Sequence, residues 1–557
     1  MSASSKKKLR KELNAAAMTE KQLKEAKDAK KLKAYTLTFV VVMVLVLAIT
    51  VGIALRTPIS SAISRGTHSV TIGEHELSTA MLSYYYVDTI VSHYNQYSSY
   101  GDYAYLYAMW MEGINFNTPV GSQIRDSKTG ETWADYYIQE AIKRATSVLA
   151  IYDKAMADTE FKVSEDTTKY YNEFEEYLEL YAQLYGYSSV NGYLRSQYGA
   201  GANVDDYKNY SQINDIATEY YNAHKDSLKY EAPDFDEYAK DKYENYSSFD
   251  YSMFAIDYED YLTGGTESTN EKGDKVVTYS DEEKAAALAA ALEDAKKLTE
   301  DSTIVSTETF EVAVKLIEKY KEEKTPVTSK TDVFYENLSD KEMKEWMKSA
   351  DRQPGDRTYI EIHDVDENGE ATDTIVGYYV ILFQGRDDNN VNLKNVRHIL
   401  VKFTGGTKDS TTGKTTYSDA EKAATQAKAE EILAAWNALE EKSAEAFGKL
   451  ATEKTEDTGS KETGGLYEDV YPGQMVEAFE DWCFDEQRYE GEVGIIETEY
   501  GFHVMYFVGN SEMTYRNYLI NIDMVNDEMD RWEKELMDAM TVTQVNINGI
   551  NKDYYIG

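Results

Sequence analysis

Two of the seven histidines lie on strand-like apolar segments: His398 in NVRHILVKF (395–403) and His503 in EVGIIETEYGFHVMYFVG (492–509). Between them come an acidic turn, Asp457-Thr458-Gly459-Ser460, and the stretch GQMVEAFEDWCF (473–484), which carries Met475 and Phe479. Histidines near a carboxylate can support hydrogen-bonded acid–base or electrostatic chemistry. Taken singly, strand histidines are more often structural, and each of these motifs is weak alone. Their joint occurrence is the signal. Other chemistries are excluded. The single cysteine, Cys483, permits neither a disulfide framework nor a Cys-based metal site, and it is expected to be buried in a helix. DVDENGEATDTI (364–375) opens like a calcium loop, but its twelfth position is Ile375 rather than a bidentate Glu. A hairpin turn between strands is expected there instead, and no metal or cofactor is expected.

The elements that must position these residues recur. From 248 onward the texture is strand, loop, helix, loop, strand. DYSMFAIDY (250–258) leads to TYSDEEKAAALAAALEDAKKL (278–298), then TYIEIHDV (358–365) and VGYYVILFQG (376–385). NVRHILVKF leads in the same order to TYSDAEKAATQAKAEEILAAW (416–436) and the strand of His503. Trp346 precedes Gly355 by nine residues, as Trp482 precedes Gly491. Two copies of one domain are expected, 248–387 and 393–510. The first lacks the histidines: Ser252 or Met253, depending on register, stands where the second copy has His398, and Tyr379 stands where it has His503.

The second copy resembles the parvulin family of prolyl isomerases. RHILVKF (397–403), FGKLATEKTEDTGSKETGGLY (447–467), GQMVEAFEDWCF and TEYGFHVMYF (498–507) together cover most of such a domain. The resemblance implies that His398, His503 and Asp457 form the catalytic set. It also implies that Leu466, Met475 and Phe479 grip the proline ring, with Thr458 and Thr498 beside them. The stretch from Leu466 to Met475 is one residue longer than usual, and Tyr500 replaces a small residue. An X-Pro bond rotates over a barrier of roughly 20 kcal/mol without any bond breaking, so no nucleophile is needed. An apolar socket and a polar floor that prefer the twisted amide suffice. With the helical segment before it, the chain is similar to the SurA/PrsA class of extracytoplasmic foldases.

Residues 36–55, TLTFVVVMVLVLAITVGIAL, carry no charge and no proline, enough for one membrane-spanning helix. Residues 1–35 hold eleven Lys/Arg against four acids, so they are expected in the cytoplasm of a Gram-positive-type bacterium and the acidic bulk outside. The net charge of −41 makes nucleic acid an unfavourable partner. Residues 56–247 show helical periodicity and many of the 48 tyrosines, suited either to core packing or to holding unfolded chain. Residues 511–541 form a further helical pattern, and the lone strand 542–548 needs a partner, for which 68–73 is the candidate. This closes the N-terminal lobe with residues 511–557. The expected whole is an α+β multidomain protein: a cytoplasmic tail (1–35), an anchor (36–55), a helical chaperone lobe (56–247), a degenerate parvulin-like copy and a parvulin domain. Its expected partners are unfolded or newly translocated chains containing X-Pro bonds. The alternative is a holdase that binds exported chains without catalysis.

Overall fold

The structure, a computed structural model, describes residue 43 and residues 59–269, 275–324, 326–365, 371–409 and 413–556. The expected tail and, apart from Met43, the expected membrane span lie outside the described residues. Among the described residues no helix is long and apolar enough to cross a membrane. The chain divides into two compact units, one comprising residues up to 229 with those from 527 onward, the other 230–526.

The first unit is mainly helical. Its long helices start where a polar side chain satisfies free backbone amides: Ser78 caps Thr79–Asn95, a Thr132–Asp135 capping box opens Trp133–Ala157, and Asn203 caps Val204–Ser227. Tyr84, Tyr85 and Tyr86 are all but fully buried, in one core with Tyr137 and Tyr210. For these tyrosines core packing therefore decides. Buried phenols usually find hydrogen-bond partners: Tyr84 donates to the Asn203 carbonyl at 3.2 Å and Tyr210 to Asp88 at 2.6 Å, whereas the Tyr86 hydroxyl has none. A three-stranded sheet closes the unit. His68–Ile72 pairs with His75–Ser78 on one side and with Val542–Gln544 on the other, all antiparallel. The helical pattern of the lobe is interrupted at Glu173, which separates Glu165–Asn172 from Phe174–Leu184.

The second unit contains two antiparallel four-stranded sheets of identical order. The first runs Thr328–Phe334, Ser248–Asp257, Ala371–Asp387, Arg357–Val365; the second runs Leu466–Val470, Asn392–Lys402, Gly501–Thr514, Val493–Thr498. Thr514 ends the strand that carries His503, so the C-terminal helix starts at Tyr515, later than the pattern at 511 suggested. Val365 and Ala371 pair in antiparallel strands, and residues 366–370 of the expected hairpin turn lie outside the described residues.

Small devices repeat in both sheets. In each, a glycine amide after the first strand donates to the Glu of a capping box: Gly265 to Glu283 at 2.9 Å and Gly406 to Glu421 at 2.8 Å. In each, an arginine donates to a tryptophan carbonyl and covers its ring, Arg352 at 3.9 Å from Trp346 and Arg488 at 4.3 Å from Trp482. In each, the edge strand bulges at an aspartate of φ 53°, Asp332 or Asp469. At the Asp469 bulge two edge-strand residues stand against Asn395, whose side chain accepts from the Asp469 amide.

Candidate active site

His398 and His503 stand on adjacent central strands of the second sheet. Met505 faces His398 across the ladder and His503 faces Leu400, so the two histidines are diagonal neighbours on one face. Two glycines let backbone close around them. At Gly465 (φ 71°) a Cβ would sit 2.1 Å from the His398 carbonyl oxygen, and at Gly501 (φ 152°) it would sit 2.1 Å from that of Val401. Only glycine fits these positions. The Gly465 carbonyl accepts from the His398 amide at 2.9 Å, which lays the loop carrying Asp457 along the strand.

A single chain of hydrogen bonds joins the polar groups. The Tyr500 amide donates to Thr498 Oγ1 (3.2 Å), and Thr498 Oγ1 lies 2.9 Å from His503 Nε2. His503 Nδ1 lies 2.9 Å from His398 Nδ1, and His398 Nε2 lies 3.0 Å from Asp457 Oδ2. One assignment of protons satisfies every group. His398 donates from Nε2 to the carboxylate, His503 donates from Nδ1 to His398, and Thr498 donates to His503 Nε2. Ser460 and Tyr467 donate to the same carboxylate oxygen, Tyr467 at 3.1 Å, and the Gly459 amide donates to Oδ1 at 3.1 Å.

The electrostatics agree with two neutral imidazoles. His398 is 3% and His503 5% exposed. Burial lowers His398, against the pull of Asp457. Burial, then the neighbouring His398, lowers His503 to about 3. Burial would raise Asp457, but the hydrogen bonds from Ser460, the Gly459 amide and His398 outweigh it and hold the carboxyl far below its usual range. The site thus keeps one fixed anion and two neutral rings through the physiological range. No group in it is poised to exchange a proton near neutrality.

The Phe479 ring stands nearly perpendicular to both imidazoles, at 5.5 Å from His398 and 5.6 Å from His503. It belongs to an apolar cluster with Val396, Met505 and Phe507, with Met475 and Tyr467 packed against it. An open groove of about 840 Å³ runs beside the site, lined in part by Phe403, Tyr417, Val476, Ala478 and Thr498.

The structure brings together His398, His503, Asp457, Thr498, Met475 and Phe479. It does not bring in the other two expected residues. Leu466 faces Arg397, on the opposite side of the sheet from His398, because side chains alternate along a strand. The next residue, Tyr467, takes the expected position, its ring 5.2 Å from His398. Thr458 is exposed, and Ser460, two residues on and 2% exposed, makes the turn's contacts with the site. Thr498 is buried and its hydroxyl lies against His503, so it positions that ring. Sequence reasoning missed Ser460 and Tyr467 as site residues. The D-T-G-S turn contained the first, and the alternation of the edge strand could have given the second. Cys483 is fully buried, and burial raises its thiol to about 12, so it is unreactive.

The first sheet shows what stands in the same places. Gly355 and Gly491 each donate from the amide to the carbonyl of the phenylalanine across the turn, Phe383 and Phe507. Aligned on these pairs, Tyr379 takes the position of His503. Met253, facing Ile381, takes that of His398. This resolves the register left open between Ser252 and Met253. Both are half-buried beside Met343 in an apolar cluster.

Residues 378–510 match the family described as the PPIC-type PPIASE domain. The "Foldase protein PrsA 1" of Listeria innocua is 33% identical over 82 residues, 14% of this chain and 28% of the relative. That of Listeria monocytogenes matches equally. The chain thus spans little more than a quarter of the curated relatives it matches. Among solved structures, PrsA from Bacillus subtilis is 15% identical with a TM-score of 0.23, covering 73% of this chain and 88% of that one. PrsA from Bacillus cereus is 23% identical with a TM-score of 0.17, covering 27% of this chain and 49% of that one. The chain therefore carries a PPIC-type, parvulin domain.

Proposed function

We propose that this chain is a membrane-anchored extracytoplasmic foldase that catalyses cis/trans isomerisation of X-Pro bonds in exported proteins and holds unfolded chains on its helical lobe. The observation that carries the catalytic reading is the buried chain from Thr498 through His503 and His398 to Asp457, with the Phe479 ring set across it.

Catalysis in such a site follows from shape and polarity. A planar X-Pro amide is strongly dipolar, and twisting it removes the conjugation that makes it so. A dry cavity therefore favours the twisted state over both planar ones. Phe479, Met475 and Tyr467 form the socket for the ring. The neutral imidazoles, locked by hydrogen bonds at both ends, form a floor that needs no reorganisation during the twist. Asp457 fixes the tautomer of His398, and Thr498 that of His503. No step transfers a proton.

The copy at 248–387 is read as a degenerate parvulin-like domain. Its matching strand order and staples support common construction, and Met253 and Tyr379 support loss of catalysis. The anchor reading rests on the uncharged run 36–55 and the basic residues before it. The lone buried cysteine fits a compartment where disulfides play no part.

The direct test is the full chain acting on a proline-containing tetrapeptide, with cis/trans exchange followed by NMR. Accelerated exchange is expected. A rate equal to the uncatalysed one would leave only the holding activity.

A further inference from the structure

We propose that the groove beside the histidine floor selects X-Pro segments that carry Lys or Arg within about two residues of the proline, and that Glu477 and Glu499 make the selection. The inference rests on the isomerase reading above and deepens it by naming the substrate class. The groove begins where the floor ends. Its lining includes Thr498, whose hydroxyl lies against His503, and it includes Val476 and Ala478 at the start of the helix that carries Phe479. A chain with its proline ring against Phe479 can extend into this groove at roughly 3.3–3.6 Å per residue. The side chains flanking the proline are therefore the ones that the groove meets.

Two features of the lining set its chemistry. One is aromatic: the rings of Phe403 and Tyr417 lie 4.7 Å apart, and Phe403 is braced on Phe502 at 5.8 Å. Such rings take the methylene stem of a long side chain and attract a cation at its end. The other is charge. Lys422 is bound to Glu497 at 2.6 Å, with its ammonium 5.8 Å from the centre of the Phe403 ring. The chain thus already holds one ammonium between a carboxylate and an aromatic ring. Lys414 is engaged as well. Glu477 and Glu499 are exposed, and among the described residues neither forms an ion pair. Beyond them stands Asp457, ionised against neutral imidazoles. A concave wall with these carboxylates concentrates negative potential where the substrate enters. It attracts a flanking Lys or Arg and repels an acidic or phosphorylated segment.

The test uses the full chain and two peptides, Ac-Ala-Lys-Ala-Pro-Ala-Lys-amide and its counterpart with Glu in place of Lys, with cis/trans exchange followed by NMR. At low salt kcat/KM for the Lys peptide should exceed that for the Glu peptide by about tenfold. The ratio should fall to about twofold near 1 M salt, where charges on the groove are screened. Both measurements come from one sample, so their ratio does not depend on how much of a variant is folded. Glu477→Gln with Glu499→Gln should bring the low-salt ratio to about twofold, and Glu477→Lys with Glu499→Lys should invert it. Glu440→Gln with Glu486→Gln, exposed acids of the same domain outside the groove lining, should leave the ratio unchanged. That control separates the groove from the −41 net charge of the whole chain. Equal rates for the two peptides, or a preference that survives in the Glu477/Glu499 variants, would overturn the inference and leave the isomerase reading standing. So would a control that abolishes the preference as fully as the groove variants do. Acceleration of neither peptide would overturn the isomerase reading and this inference with it.

Discussion

The two sheets of the second unit share a skeleton and differ in a handful of side chains. Strand order, the glycine–glutamate clamp, the arginine on its tryptophan and the bulged aspartate are common to both. One face of the central strands carries His398 and His503 over Asp457 in the second sheet, and Met253 and Tyr379 in the first. The shared devices all act on the backbone: they supply positive φ, cap a helix or staple a turn. The fold can therefore persist while its polar floor is replaced by packed apolar side chains, since fold and site are specified by different residues.

The comparison is broken most sharply by truncating the same wall position in each copy. Phe479→Ala should cost about 3–5 kcal/mol of stability and, in samples still folded, lower kcat/KM for a tetrapeptide by roughly 10²-fold. Met343→Ala, in the matching helix of the first sheet, should cost about 2–5 kcal/mol but leave kcat/KM within about twofold. Denaturant melts with tetrapeptide kinetics on both variants provide the check. If Phe479→Ala kept wild-type efficiency, the socket would be wrongly placed.

Replacing one histidine should have a smaller effect. His398→Ala or His503→Ala should reduce kcat/KM by about 10–100-fold and leave measurable activity, because each ring positions the floor and transfers no proton. Rates from pH 6 to 8 should be flat in the wild type. A bell-shaped profile centred near 6.5 would instead reveal an acid–base role.

Stability should respond to acid in the second sheet more than in the first. Both histidines have native pKa values lowered below the unfolded value near 6.5, His503 to about 3. Below 6.5 the unfolded chain binds protons that the native site refuses. Stability is then constant above about 6.5 and falls by about 1.4 kcal/mol per pH unit on account of His503 as pH drops towards 3, with His398 acting in the same direction. His503→Phe should flatten that slope in chemical-denaturation curves recorded from pH 8 to 4. A slope unchanged by the substitution would mean that His503 is protonated in the folded state.

Much of this was legible in the sequence. The TYSD helix starts, the matched Trp–Gly intervals and the strand histidines reflect local rules of capping and alternation, and they located the two segments that form sheets of identical order. What was missed depends on pairing. Whether Ser252 or Met253 faces the site is a question of register, and only the ladder to Ile381 answers it. Leu466 and Tyr467 exchange faces with a one-residue shift, and the bulge at Asp469 was not visible in composition. Glu173 ends a helix within an otherwise helical pattern, a tertiary choice imposed by burying Phe174 and Tyr171 together.

The smallest effect sharpens the account of Asp457. Ser460→Ala or Tyr467→Phe removes one of its donors and should cost about 1 kcal/mol, with the carboxyl moving up towards its ordinary value. Carboxyl NMR titration reads that shift directly. A pKa that did not move would show that the donor contributes nothing to holding the anion.

The central claim is that isomerase activity resides on the histidine face of the second sheet and not on its counterpart in the first. NMR exchange of a proline tetrapeptide measures this on the full chain in three forms: wild type, His398→Ala with His503→Ala, and Met253→Ala with Tyr379→Ala. The account predicts catalysis in the wild type, a loss of about 10²-fold or more in the histidine double variant, and wild-type rates in the Met253/Tyr379 variant. Equal rates in all three forms, or a loss confined to the Met253/Tyr379 variant, would contradict it.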